Sequence, residues 1–256
     1  MKFAVNLSML FTEVPFLARF EQARRAGFDA VEFWYPYRED AGLIAAELDA
    51  YRLTLVLFNL DIGTKGGRGY AADPAQRERF RATTAQGIEI ARQLGCARLN
   101  VLVGNVIPGV PREEQDRTLI ENLRTAAVEV ARAGIILHIE ALNRYDAPEY
   151  FLRSSAQALA IIRAVSHPAL KFQYDVYHMQ RGEGNLTGTL VSNLEMIGHI
   201  QIADAPDRGQ PGTGEINFRY LLGRIARAGY RGYISAEYQP AGPSAESFGW
   251  LQEVLP

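Results

Sequence analysis

Cysteine is almost absent from this chain: Cys96 is the only one in 256 residues. No internal disulfide can form and no cysteine-built zinc site is available. The scarcity agrees with a reducing compartment. Long runs of lysine and arginine are also missing, and the formal net charge is -2. The electrostatic footprint of a duplex nucleic-acid binder is therefore lacking, although a local basic pocket for a small anion is still compatible with these numbers. No apolar run approaches the roughly 18 residues needed to span a bilayer, so no membrane partner is expected. The opening MKFAVNLSML has one lysine, a short apolar run and no small-residue cleavage site, unlike a secretory signal. A cytoplasmic location is expected. No GxGxxG follows the first apolar run, which weighs against dinucleotide binding.

What is present is an alternation of short apolar runs and longer helical patterns. Hydrophobic residues make up 48% and charged residues 22%, enough apolar surface for one core. Eight segments read as strands: 3–7, 30–34, 53–60, 98–104, 134–140, 170–175, 198–204 and 232–238. They are rich in β-branched and aromatic residues and mostly apolar on both faces, as in a buried parallel sheet. Helical patterns lie between them. Over 14–27, Phe16, Leu17, Phe20, Ala23 and Ala26 share one face, and Gly27 supplies a stop. Over 73–95, Asp73 is an N-cap followed by Pro74, and Gly95 ends the helix. Ala133–Gly134 and Ala228–Gly229 close two more helices in the same way. Eight such units in about 250 residues predict an α/β fold, a single (β/α)8 TIM barrel domain over 1–256. The glycine-rich stretch 61–72 reads as a loop over the barrel mouth.

In such a barrel the active site lies at the C-terminal ends of the strands. The fifth to eighth predicted strands end at or near Glu140, Asp175, Gln201 and Glu237. Four adjacent strands thus present an oxygen-bearing side chain at one level. Three carboxylates in a confined mouth are unfavourable unless a cation compensates. An all-oxygen set favours Mg2+ or Mn2+ over zinc. Taken singly, each acid is equally well explained as a helix N-cap or a solvated loop residue; their common register makes the cation site.

Other polar residues lie nearby. His178 follows Asp175 by three positions, beyond the strand, where a core histidine is out of place. Arg208 sits in a Pro/Gly-rich loop, and Asp146 follows Glu140 by six. His138 and His199 fall inside apolar strands and read as satisfied core histidines. Asn6, Glu32, Asn59, Asn100 and Asn105, in or near the first four strands, are fitted to line the mouth. Trp34, Tyr35 and Tyr37 suit either a pocket wall or a contact with a second copy, so a homo-oligomer is left open.

The stretches FAVNLSMLF, VEFWYPY, NVLVG, QYDVYHMQR, GHIQIADAPDRGQPGTGEIN and the late AEY cover nearly the whole chain. Together they resemble the hydroxypyruvate isomerase family of the xylose-isomerase-like barrel superfamily. The resemblance implies metal ligation by Glu140, Asp175, Gln201 and Glu237, with Glu140 and Glu237 as the catalytic pair. It also implies that His178 and Arg208 contact substrate. Related ketose epimerases carry histidine where this chain has Gln201, which favours the hydroxypyruvate branch. One region departs. The family's loop after the third strand usually holds an Asp-Trp pair and a Gly-Glu-Arg-Gly run, whereas here it reads DIGTKGGRGYAADP, keeping only Gly67-Arg68-Gly69.

The implied reaction is an aldose–ketose isomerisation of a small hydroxy-keto acid, hydroxypyruvate to tartronate semialdehyde, through an enediolate. One glutamate removes a proton and the other returns it to the neighbouring carbon. The substrate carboxylate requires cationic partners, first Arg208, then Arg68 and Lys65. The alternatives are a 2-oxo-tetronate isomerase or ketose 3-epimerase on the same site, a DNA-repair endonuclease of the superfamily, and a non-catalytic sugar-acid binding protein. Four histidines and a net charge of -2 argue against the endonuclease, which uses a histidine-rich zinc cluster and a basic groove.

Overall fold

A computed structural model describes residues 1–63 and 67–254. Among these residues the strands are β1 (Lys2–Asn6), β2 (Ala30–Glu32), β3 (Thr54–Leu55), β4 (Phe58–Asn59), β5 (Arg98–Val101), β6 (Ile136–Glu140), β7 (Leu170–Asp175), β8 (Ile197–Ile202) and β9 (Tyr233–Ala236). The helices are α1 (Arg19–Arg25), α2 (Ala41–Ala50), α3 (Arg77–Gln93), α4 (Arg112–Arg132), α5 (Ser155–Val165), α6 (Val176–Gly182), α7 (Leu186–Ser192), α8 (Phe218–Arg227) and α9 (Trp250–Val254). All strand pairings are parallel, in the order β3-β2-β1-β9-β8-β7-β6-β5-β4.

The two ends of that order are the two halves of one predicted strand, 53–60. Its first half pairs with β2, with Val31 opposite Leu55. Its second half pairs with β5, with Phe58 opposite Leu99. The intervening backbone still bonds to the β2 side, through Val56 N to Val31 O at 2.8 Å and Asn59 N to Trp34 O at 2.9 Å. The ring therefore closes across Val56–Leu57 as an α/β TIM barrel. The expected single strand is split because it changes hydrogen-bonding partner midway.

Helix boundaries follow the caps. Asp73 accepts from Ala75 N and starts a short 3-10 turn that leads into α3. Gly95 adopts φ +63° just past it. Ahead of α1 the predicted helical face begins as a 3-10 turn at Phe16–Ala18, and Phe20 and Ala23 are its buried positions.

The strands differ from expectation in one respect. Their outer faces are apolar and pack on the helices: Val5, Val31, Leu99, Leu137, Ile139, Phe172, Ile200 and Ile234 are all fully or almost fully buried in one core cluster. The inner faces are not apolar throughout. By the two-residue alternation of a strand, Asn6, Glu32, Asn100, His138, Glu140, Gln173, His199, Gln201 and Ser235 point into the lumen. All of them are buried. At the lower end a small apolar layer of Ala4, Ala30, Val56 and Leu57 closes the lumen. Upward from it the barrel interior is polar.

Candidate active site at the barrel mouth

At the C-terminal end of the sheet lies a cavity of about 290 Å³, lined among others by Trp34, Tyr35, Arg68, Glu140, His178, Gln201, Arg208 and Glu237. Register brings its floor together: Glu140 pairs with Gln173, Asp175 with Gln201, and Gln201 with Ser235. Glu237 is the first residue beyond β9. Glu140, Asp175, Gln201 and Glu237 are each 5% exposed or less. The four residues expected on the last four barrel strands thus do meet at one level.

Each glutamate has one tethered oxygen. Glu140 Oε2 accepts from Asn100 Nδ2 at 2.9 Å and from Gln173 Nε2 at 2.9 Å. Glu237 Oε1 accepts from Asn6 Nδ2 at 3.2 Å and from the Trp34 indole N–H. The other oxygen of Glu237, Oε2, is buried without a hydrogen bond and faces Arg208 Nη2 as an ion pair at 3.2 Å. The same guanidinium nitrogen lies 3.4 Å from Asp175 Oδ2. Asp175 spends its second oxygen on the N-terminus of α6, accepting from Tyr177 N and His178 N.

The electrostatics follow from burial. Glu140 is pushed well above the usual carboxylate range by burial, then by the charges of Glu237 and Asp175. Burial moves Glu237 from 4.5 up to about 8, against the pull of Arg208. Asp175 is also raised by burial, with Arg208 and the α6 amides opposing. Burial and then Arg208 hold His178 well below 6.5, so its imidazole is neutral. Its Nδ1 accepts from Asn143 N at 3.3 Å, which leaves the proton on Nε2. That nitrogen faces Asp175 Oδ2 at 3.7 Å.

The donor set fits a divalent cation. One ligand atom each of Glu140, Asp175 and His178 lie within 4.8 Å of one another. With Nδ1 engaged and Nε2 protonated, His178 is a hydrogen-bond donor rather than a ligand, so the donors at this level are oxygens. Three buried carboxylates with raised pKa values, and a Glu237 Oε2 without a hydrogen bond, are what a hard cation would relieve.

The loop carrying Arg208 is built by one aspartate. Asp204 accepts from the backbone N–H groups of Ala205, Gly212, Gly214 and Ile216 at 2.9–3.0 Å. Gly214 has no room for a side chain, since a Cβ would lie 2.0 Å from Ala205 O. Arg208 itself takes φ +58°, costly for a residue with a Cβ, and its carbonyl accepts from Gln239 N at 2.8 Å. The long motif ADAPDRGQPGTGEIN is thus a brace that presents one arginine. Arg68 reaches the cavity from the other side. Its neighbour Gly69 (φ +90°) packs so closely that a Cβ would meet Leu102 O at 1.7 Å. Lys65 lies outside the described residues.

One member of the site escaped sequence reasoning, and another was named there without a decided role. Gln173 carries a two-residue offset from Asp175 that places it on the same inner face, a signal that was there to read. Trp34 lay in the aromatic run after the second strand, with nothing to choose pocket wall over subunit contact. Asn105 lies away from this cavity, in an isolated bridge with Tyr150. His138 and His199 are fully buried, but they are not the satisfied core histidines expected: His138 Nε2 and His199 Nδ1 have no hydrogen-bond partner among the described residues, and both rings face the polar lumen.

Comparison with known proteins fits this geometry. Residues 20–254 match the xylose isomerase-like TIM barrel family. The chain is 44% identical to a hydroxypyruvate isomerase of Escherichia coli strain K12, covering 98% of both chains. It is 41% identical to a 2-oxo-tetronate isomerase of Pectobacterium atrosepticum, covering 99% of this chain and 98% of that protein. A crystal structure described as an AP endonuclease, family 2, from Brucella melitensis superposes with a TM-score of 0.96 at 38% identity, covering 100% of this chain and 99% of that one. The chain belongs to the hydroxypyruvate isomerase family of xylose isomerase-like TIM barrels.

Proposed function

We propose that this protein is a divalent-metal-dependent isomerase that interconverts hydroxypyruvate and tartronate semialdehyde. The observation that carries the reading is the pair of buried glutamates, each with one oxygen held by two side-chain N–H donors. Burial raises the pKa of both carboxyls in the metal-free protein, an environment suited to one acting as base while the other acts as acid. Glu140, Asp175, Gln201 and Glu237 would hold Mg2+ or Mn2+. When bound, that ion supplies Lewis acidity that stabilises negative charge on the substrate's neighbouring oxygens.

The protein's own groups do the rest. One glutamate takes a proton from the hydroxyl-bearing carbon, leaving an enediolate. The other delivers a proton to the adjacent carbon, and a proton passes between the two substrate oxygens to complete the aldehyde. Arg208 and Arg68 receive the substrate carboxylate, where a guanidinium can form two parallel hydrogen bonds. His178 Nε2–H donates to a substrate oxygen. The apolar side chains of Ile62, Leu102 and Leu142 in the wall limit water around the intermediate.

The four-carbon 2-oxo-tetronates are the second reading, favoured by the 41% identity to a 2-oxo-tetronate isomerase over nearly the full chain. An endonuclease role is disfavoured, since among the described residues His178 is the only histidine in the cavity wall and the net charge is -2. The test is a panel of hydroxypyruvate, 2-oxo-tetronates and a ketohexose, run on EDTA-stripped protein and again after adding Mg2+ or Mn2+. Hydroxypyruvate turnover that appears only with metal is expected. Equal turnover with and without metal would refute the metal reading, and preferential turnover of a tetronate would transfer the assignment to that substrate.

A further inference from the structure

One buried acid has no part in that chemistry. Glu32, the last residue of β2, is fully buried and does not line the cavity. A carboxylate taken out of water costs free energy unless it is paired and hydrogen-bonded, and Glu32 is. Its Oε2 meets His199 Nε2 at 2.7 Å. Its Oε1 accepts from Asn6 Nδ2 at 2.9 Å and from Gln201 Nε2 at 2.7 Å.

We infer that Glu32 is a positioning residue: it sets the orientation of the side-chain amides that hold both candidate catalytic glutamates and that present Gln201 to the metal. The inference rests on the proposed metal-dependent function. A carboxylate offers only acceptors, so both amides must turn their NH2 groups toward it. For Asn6 this leaves the second N–H on Glu237 Oε1 at 3.2 Å and sends Oδ1 to Ser8 N at 2.9 Å. For Gln201 it turns Oε1 the other way, where one lone pair accepts from Gln173 Nε2 at 2.7 Å. The second N–H of Gln173 then goes to Glu140 Oε2 at 2.9 Å.

The hydrogen bonds thus run Glu237–Asn6–Glu32–Gln201–Gln173–Glu140, with Glu32 as the one anion in the middle. Reversing either amide beside Glu32 would set a carbonyl oxygen against its carboxylate. Reversing Gln201 would also offer an NH2 group, rather than an oxygen, to a cation. Packing alone would not require a charge here, because an apolar side chain can fill a lumen as Val56 and Leu57 do below.

Three variants test this: Glu32→Gln, Gln201→Glu, and the double exchange Glu32→Gln/Gln201→Glu. Mn2+ binding to EDTA-stripped protein is measured by titration calorimetry, alongside circular dichroism and steady-state kinetics on hydroxypyruvate. Glu32→Gln supplies an NH2 group where an acceptor is needed, so Mn2+ affinity is expected to fall about tenfold or more. Turnover should fall with it, while KM for hydroxypyruvate at saturating Mn2+ changes less than about twofold. Gln201→Glu sets carboxylate against carboxylate. The double exchange restores a donor beside an acceptor and is expected to bind Mn2+ more tightly than either single variant. Added negative charge alone would instead make Gln201→Glu at least as tight as the double exchange, and that result overturns the inference. So does a folded Glu32→Gln that binds Mn2+ within about twofold of the parent, or a double exchange that does not fold. A parent that binds no Mn2+ refutes the metal site itself, a failure distinguishable from the others.

Discussion

The raised pKa of Glu237 has a thermodynamic consequence that does not depend on knowing the substrate. A carboxyl at about 8 in the folded, metal-free protein and at 4.5 when unfolded binds more protons folded than unfolded between those values. Its contribution to stability is present below 4.5 and is lost as pH rises through about 8. Between about pH 6.5 and pH 8.5 the loss from this residue alone comes to about 2 kcal/mol. Glu140, displaced in the same direction, adds to it. His178 works oppositely. Held below 6.5 when folded, it lowers stability only as pH falls below that value, so the chosen window avoids it. For a chain of this size the loss corresponds to a fall in Tm of roughly 4–8 °C. The assay is thermal unfolding by circular dichroism in EDTA at both pH values, for the parent and for Glu237→Gln. The parent should lose Tm and the variant should lose distinctly less, because the titrating group is gone and its repulsion on Glu140 with it. Saturating Mg2+ or Mn2+ should flatten the parent's dependence. Parallel losses in the parent and Glu237→Gln would refute the assignment of a proton-holding glutamate at this site.

Further outcomes follow from the same geometry. Glu140→Gln should keep its circular dichroism spectrum and lose roughly 10²–10⁴ in turnover of hydroxypyruvate, the usual share of a general acid or base; turnover at the parent rate would refute the two-glutamate mechanism. Arg68→Ala removes a proposed partner of the substrate carboxylate at the cavity wall, so KM for hydroxypyruvate should rise about tenfold or more with a smaller change in kcat, read from initial rates. Phe58, fully buried and stacked on Phe33 at 6.3 Å, should cost roughly 3–5 kcal/mol when replaced by alanine, seen as a Tm lowered by roughly 10 °C at both pH values.

The candidate site was legible in the sequence to the extent that it sits at strand ends. Glu140 and Asp175 each close an apolar run, and the barrel rule aligns such residues without knowledge of side-chain contacts. Arg208 was legible as a loop arginine, but its brace was not, since Asp204 gathers N–H groups as far as Ile216 and only the folded loop shows this. The lumen network was least legible. Glu32 and His199 are distant in sequence, and whether an inner or outer face carries the polar residues depends on closure of the ring. The break in the third strand was hidden for a related reason. LTLVLFNL is an unbroken apolar run, and nothing local marks the residue at which its partner changes.

That break also bears on where the ring opens. The paired registers on either side of it span two residues each, Ala30–Thr54 to Val31–Leu55 and Phe58–Leu99 to Asn59–Asn100, as the neighbouring β1–β2 register does, whereas the β5–β6 and β6–β7 ladders span four. Fewer rungs mean a lower free energy of local opening. Asn59 lies on this seam, and its side-chain oxygen accepts from Asn100 Nδ2 at 3.1 Å, the same amide that tethers Glu140. Opening of the barrel at this short join would reach Glu140, one of the two proposed proton-transfer groups, so the rigidity of the join helps to set how sharply that carboxylate is aimed.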